Sequence, residues 1–79
     1  MEKSGYYTYI LYSKKLQKFY TGSTENLENR LASHNAGLST FTSSGIPWIM
    51  VWNLSHTSRK SAVGLEKQIK KRGAKRFQI

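Results

Sequence analysis

The sequence predicts a small α+β domain whose elements run strand, strand, helix, strand, helix. Three observations predict it. Two β-branched and aromatic segments near the start, Tyr6–Ser13 and Lys18–Gly22, flank a short polar turn. A third such segment, WIMVWNLS, occupies 48–55. Between and after them, apolar residues recur at helical spacing behind residues suited to capping. At 79 residues one domain is expected, over 1–79. A chain of this size buries only about 60% of its unfolded surface, so its core is small.

In the first strand Tyr7, Tyr9 and Leu11 share one face, and Thr8, Ile10 and Tyr12 the other. Lys14–Gln17 turns the chain into the second strand, making an antiparallel hairpin in which Tyr9 and Tyr20 come near each other. Strand packing by itself accounts for tyrosines at such positions. The first helix spans Leu27–Asn35, with Asn26 as its cap, Glu28 at its positive end and Gly37 beyond its last turn. On it Leu27 and Leu31 form an apolar pair, and Arg30 and His34 form a polar pair projecting on one side. The stretch 37–47, rich in Ser, Thr and Gly, reads as a surface loop whose hydroxyls, Thr42 among them, can contact phosphate or serve only as a linker. The third strand is apolar on both faces from Ile49 to Trp52, which predicts a central or helix-covered position. The second helix starts near Thr57 or Ser58 and ends at Gly73, with Ala62, Leu65 and Ile69 as its buried stripe. Glu66 lies at the edge of that stripe, where a half-buried carboxylate needs a cation or a metal. A salt bridge to Lys70 or Arg30 is the simplest answer. The last residues, 74–79, are expected to begin another helix, with Phe77 packing back.

Charge narrows the function. Thirteen Lys and Arg against four acids give a net charge of +9, and aromatic residues make up 13% of the chain. Most of the basic residues lie after residue 58, Lys67, Lys70 and Lys71 among them. This one-sided balance fits a polyanion such as nucleic acid, with Lys18 on the second strand as a further contact. The acids are Glu2, Glu25, Glu28 and Glu66, and there is no aspartate. No Ser-His-Asp triad can be written, and a two-metal carboxylate site or a glycosidase pair is hard to assemble. Without cysteine there is no disulfide and no thiolate metal site. The N-terminus lacks the apolar segment of a signal peptide, and no apolar run can span a bilayer, so a soluble cytoplasmic protein is expected.

The triplets Tyr7-Thr8-Tyr9 and Tyr20-Thr21-Gly22, followed by Arg30, His34 and then Glu66 on the second helix, resemble the signature of the GIY-YIG nuclease superfamily. The resemblance runs from Tyr6 to about Phe77. It is nearest to the short stand-alone bacterial proteins of that superfamily, and more distant to the N-terminal nuclease domain of UvrC. It implies three antiparallel strands flanked by helices. It also implies a divalent-metal-dependent endonuclease acting on DNA, in repair or recombination, with Mg²⁺ or Mn²⁺ as cofactor. By position, Glu66 is the metal ligand, Tyr9 and Tyr20 face the scissile phosphate, Arg30 clamps it, and His34 orients or relays to a tyrosine. Two positions depart from the pattern. Tyr7 stands where the name has glycine, and Ser23 where several nucleases carry a lysine that contacts phosphate. Its loss weakens phosphate contact or catalysis unless Lys18 or a lysine of the second helix substitutes. With no second DNA-binding domain, little sequence specificity is expected. The alternatives are a non-catalytic nucleic-acid-binding module on this fold, or an interaction domain for a protein partner.

Overall fold

The computed structural model describes residues 5–38 and 42–74. The elements are β1 (Tyr6–Ser13), β2 (Lys18–Thr24), α1 (Leu27–Asn35), a 3-10 turn (Ser43–Gly45), β3 (Trp48–His56) and α2 (Arg59–Arg72). The expected order is observed. The three strands form one antiparallel sheet in the order β2-β1-β3, an α+β fold with both helices packed on the sheet. The expected helix at 74–79, with the packing of Phe77, lies almost wholly outside the described residues.

The hairpin closes through Gln17, at φ 55, and the Leu16 N–H donates to Ser13 Oγ over 3.1 Å. Asn26 caps α1 as expected, its Oδ1 accepting from Asn29 N at 3.0 Å, and Gly37 takes the left-handed conformation (φ 77) after the last turn. Ser58 caps α2 by accepting from Ser61 N at 3.2 Å, and Gly73 (φ 98) ends it. At the end of α2 Lys70, Lys71 and Arg72 stand against the negative pole of the helix.

The central strand differs from the expected one. β3 is an edge, and its Ile49, Val51 and Leu54 are exposed. β1 lies in the middle instead, with Thr8, Tyr9, Ile10 and Leu11 buried in succession. Tyr9 and Leu11 build the main core with Trp48, and Leu27 and Leu31 of α1 pack on it together with Ile46 and Met50. Thr8 and Ile10 point the other way by the pleat, beneath α2. Burial of a threonine there is tolerated because its hydroxyl donates to the Ala62 carbonyl at 2.9 Å and meets His56 Nε2 at 2.9 Å. A hydroxyl satisfied across 54 positions of sequence leaves no hydropathy signal, which is why the apolar strand looked the more central.

The 37–47 segment is anchored rather than free where it is described. The Asn35 side chain accepts from Trp48 N (2.6 Å) and donates to the Trp48 carbonyl (3.1 Å), and Trp48 Nε1 donates to the Thr42 carbonyl (2.7 Å). A Cβ on Gly45 would come within 2.5 Å of the Trp48 ring, so this turn closes directly on the indole.

Candidate active site

Strand register sets the first two groups. Tyr9 is opposite Gly22, and Leu11 is opposite Tyr20, so the two tyrosines are diagonal neighbours on one face of the hairpin. The missing side chain at Gly22 is what admits the Tyr9 phenol: a Cβ there would lie 2.5 Å from Tyr9 Oη and 2.8 Å from Cζ. Tyr9 is thereby laid across β2, with only 1% of its surface exposed.

α1 supplies the next two. Arg30 and His34 project on one side as expected, both toward Tyr9, but to different depths. Arg30 is exposed, whereas His34 turns inward and is buried. Its Nε2 lies 3.3 Å from Tyr9 Oη, its Nδ1 lies 2.8 Å from Thr42 Oγ1, and the Tyr20 ring meets it edge-on at 5.0 Å between centroids. Burial, and then the nearby Arg30 charge, push the His34 pKa below its ordinary value, so the ring is neutral at pH 7. Burial pushes the Tyr9 pKa up, against the opposing pull of Arg30. In return the Tyr9 hydroxyl, and more weakly Tyr20, favours the charged state of Arg30. One guanidinium thus faces both phenols.

Glu66 arrives from α2. Its Oε1 accepts from Ser23 Oγ at 2.7 Å, and its Oε2 is ion-paired with Lys70 Nζ at 2.9 Å. The expected salt bridge is therefore present, with Lys70 and not Arg30 as the partner. Lys70 Nζ also lies 5.9 Å from the centre of the Tyr20 ring. Through Ser23, Glu66 is tied to the residue next to Gly22, and so to the strand that carries Tyr20.

No cluster of three or more His or carboxylate groups with metal-binding geometry exists among the described residues. Glu66 offers one hard oxygen donor set, held by Ser23 and partly solvated. That suits Mg²⁺ or Mn²⁺, which keep several waters and need few protein ligands, and does not suit a closed zinc site.

Tyr9, Tyr20, Arg30, His34 and Glu66 are thus brought to one end of the hairpin, together with Ser23 and Lys70. Lys18, Lys67 and Lys71 are exposed. Thr42 is not a surface hydroxyl: it is 2% exposed and bonded to His34, which puts it behind the site as an orienting group. Arg59 and Tyr6, stacked at 5.6 Å, were not singled out by sequence reasoning. They line a cleft of about 270 Å³ with Ser23, Thr24 and Arg30. The signal for Arg59 was its place at the head of the basic helix.

A phenol pair, an arginine beside it and a carboxylate on α2 are thus presented on a three-stranded sheet. The GIY-YIG catalytic domain family matches residues 5–78, and the chain belongs to that family, which is a family of nucleases. It is 36% identical over 66 residues to the UPF0213 protein SH2523 of Staphylococcus haemolyticus (strain JCSC1435), a match covering 82% of this chain and 79% of that protein. No solved structure matches the chain significantly. No helix among the described residues is long and apolar enough to cross a membrane.

Proposed function

We propose that the protein is a divalent-metal-dependent endonuclease that hydrolyses phosphodiester bonds in DNA with little sequence specificity, in the cytoplasm, in repair or recombination. The observation that carries the reading is Glu66. In a chain of net charge +9, a carboxylate held beside two phenols and an arginine repels phosphate unless a cation stands between them. A pure binding site gains nothing from it.

Hydrolysis breaks one P–O bond of the backbone and forms another to the oxygen of water, whose proton must be taken up. Tyr20, the half-buried phenol, takes that proton, and Tyr9, 1% exposed, stands behind it. Tyr9 stays a phenol at pH 7, its pKa raised by burial against the pull of Arg30, and its hydroxyl lies 3.3 Å from His34 Nε2. Neutral His34 orients the Tyr9 hydroxyl, and Thr42 fixes the direction of its ring. Arg30 binds the non-bridging oxygens and stabilises the charge that builds on them. A divalent cation on Glu66, when bound, supplies Lewis-acid stabilisation of the leaving oxygen. Lys70 takes the role of the lysine that several relatives carry at the Ser23 position.

One observation favours the second reading, a non-catalytic DNA-binding module. Both oxygens of Glu66 are engaged, by Ser23 and Lys70, which leaves a neutralised site able to meet phosphate without metal. Nicking of supercoiled plasmid with Mg²⁺ or Mn²⁺, wild type beside Glu66→Ala, separates the two. The nuclease reading expects metal-dependent nicking that is lost in Glu66→Ala, with DNA binding equal or tighter. Equal nicking by both proteins refutes the assignment of Glu66. Salt-dependent binding without any nicking leaves the binding module or a nuclease that needs a special substrate.

A further inference from the structure

Lys70 is placed to do more than meet phosphate. Its ammonium lies 2.9 Å from Glu66 Oε2 and 5.9 Å from the centre of the Tyr20 ring. The other carboxylate oxygen is committed to Ser23, at 2.7 Å. A divalent cation approaching Glu66 from the solvent side meets the ammonium on the one oxygen that is not tied to β2. Two cations cannot share that oxygen at contact distance without strong repulsion.

We infer that Lys70 is an internal counter-cation that competes with the divalent ion for Glu66, leaving Oε2 for the Tyr20 ring face when the metal binds. This rests on the reading of Glu66 as the metal ligand. The side chain is suited to such an exchange. It is 51% exposed, against 19% for Glu66, so the lysine swings on a flexible stem while the carboxylate stays in place. The aromatic face already lies 5.9 Å from the paired ammonium, so this contact is available to keep the charge in the site once Oε2 is given up. Lys70 follows Glu66 by one helical turn, so the pair forms without help from any other element. The consequence is a site whose carboxylate is never left as a bare charge: the lysine neutralises it until metal arrives, and weakens metal binding by doing so.

The test is Mn²⁺ binding by the intact protein without DNA, followed by loss of the free-ion electron paramagnetic resonance signal. An ion pair of this exposure is worth a factor of roughly 1.5 to 5 in affinity. Lys70→Gln is expected to tighten Mn²⁺ binding by that factor, and Lys70→Arg to restore the wild-type value. Lys71→Gln removes the same net charge from the same helix and is expected to change binding less. If Lys70→Gln and Lys71→Gln are indistinguishable, the effect is bulk charge and the competition is refuted. Absence of Mn²⁺ binding in both wild type and Lys70→Gln refutes it as well, because removing the lysine then opens nothing. Glu66→Gln distinguishes the underlying reading. If it binds Mn²⁺ as wild type does, Glu66 is not the ligand; if it loses binding while Lys70→Gln is unchanged, only the competition fails.

Discussion

Gly22→Ala tests whether the site is built on the contact between Tyr9 and β2. A Cβ at this position lies 2.5 Å from Tyr9 Oη, 2.8 Å from Cζ and 3.2 Å from Cε2, so the hydroxyl and two ring atoms are engaged at once. The end of a tyrosine can often swing aside. Here it cannot do so cheaply, because Tyr9 is 1% exposed and its hydroxyl is bonded to His34 inside the core. Overpacking at such a position costs about 1–3 kcal/mol. For a domain of this size each kcal/mol lowers the melting temperature by about 4–8 °C, so a drop of roughly 4–24 °C is expected. Urea unfolding of wild type, Gly22→Ala, Tyr9→Phe and the double variant measures it. Removing Oη relieves the shortest contact, so the double variant is expected to be more stable than the sum of the single effects predicts, by at least about 0.5 kcal/mol. A Gly22→Ala protein as stable as wild type, or strictly additive effects, refutes the claim that glycine is there to seat the phenol.

Other outcomes follow from the groups behind the site. His34 has a lowered pKa, so below about pH 6.5 the unfolded chain takes up a proton there that the folded one refuses. Stability is therefore expected to be full above that value and to decline from it toward the lowered folded-state pKa; urea midpoints between pH 8 and 5 should show a flatter profile in His34→Gln, and equal slopes refute the assignment. Thr42→Val removes the hydroxyl that meets His34 Nδ1 and leaves a buried polar atom unpaired, at a cost of about 1–3 kcal/mol by denaturant titration. Its DNA affinity is expected to be unchanged, since Thr42 is buried behind the site. Asn35→Ala leaves both the Trp48 N–H and carbonyl without their partner; a loss of about 1–3 kcal/mol is expected, with quenched or shifted tryptophan fluorescence as the local readout.

The contrast between β1 and β3 shows which kind of information each level carried. Element types and most ends were legible because they depend on near neighbours: Asn26 as a cap, the start of α2 near Ser58, Gly37 and Gly73 as terminators, the turn at 14–17, and the stripe of Ala62, Leu65 and Ile69, of which Leu65 is only half-buried. β2 runs on to Thr24 past the expected end at Gly22, because β1 supplies partners there. Which strand lies in the middle is a question of partners far along the chain. Ile49, Val51 and Leu54 carry the apolar signal of a covered strand and yet face solvent on an edge. Thr8 carries no such signal and is buried, because α2 brings an acceptor to its hydroxyl.

The same division holds for the site. The sequence by itself determined its inventory: two tyrosines, an arginine, a histidine and a lone glutamate among basic residues, in an order that resembles one nuclease family. Composition excluded carboxylate-rich and thiolate chemistries without reference to any fold. Only the tertiary structure decided how these groups face one another. Strand register put Tyr9 across Gly22, the docking of α1 buried His34 as a neutral partner and left Arg30 exposed beside the phenols, and the docked loop made Thr42 an orienting group and not a phosphate contact. The physical reason is that propensity and periodicity act over a few residues, whereas burial, hydrogen-bond satisfaction and the field around a titrating group depend on atoms that the chain places nearby from 25 or more positions away.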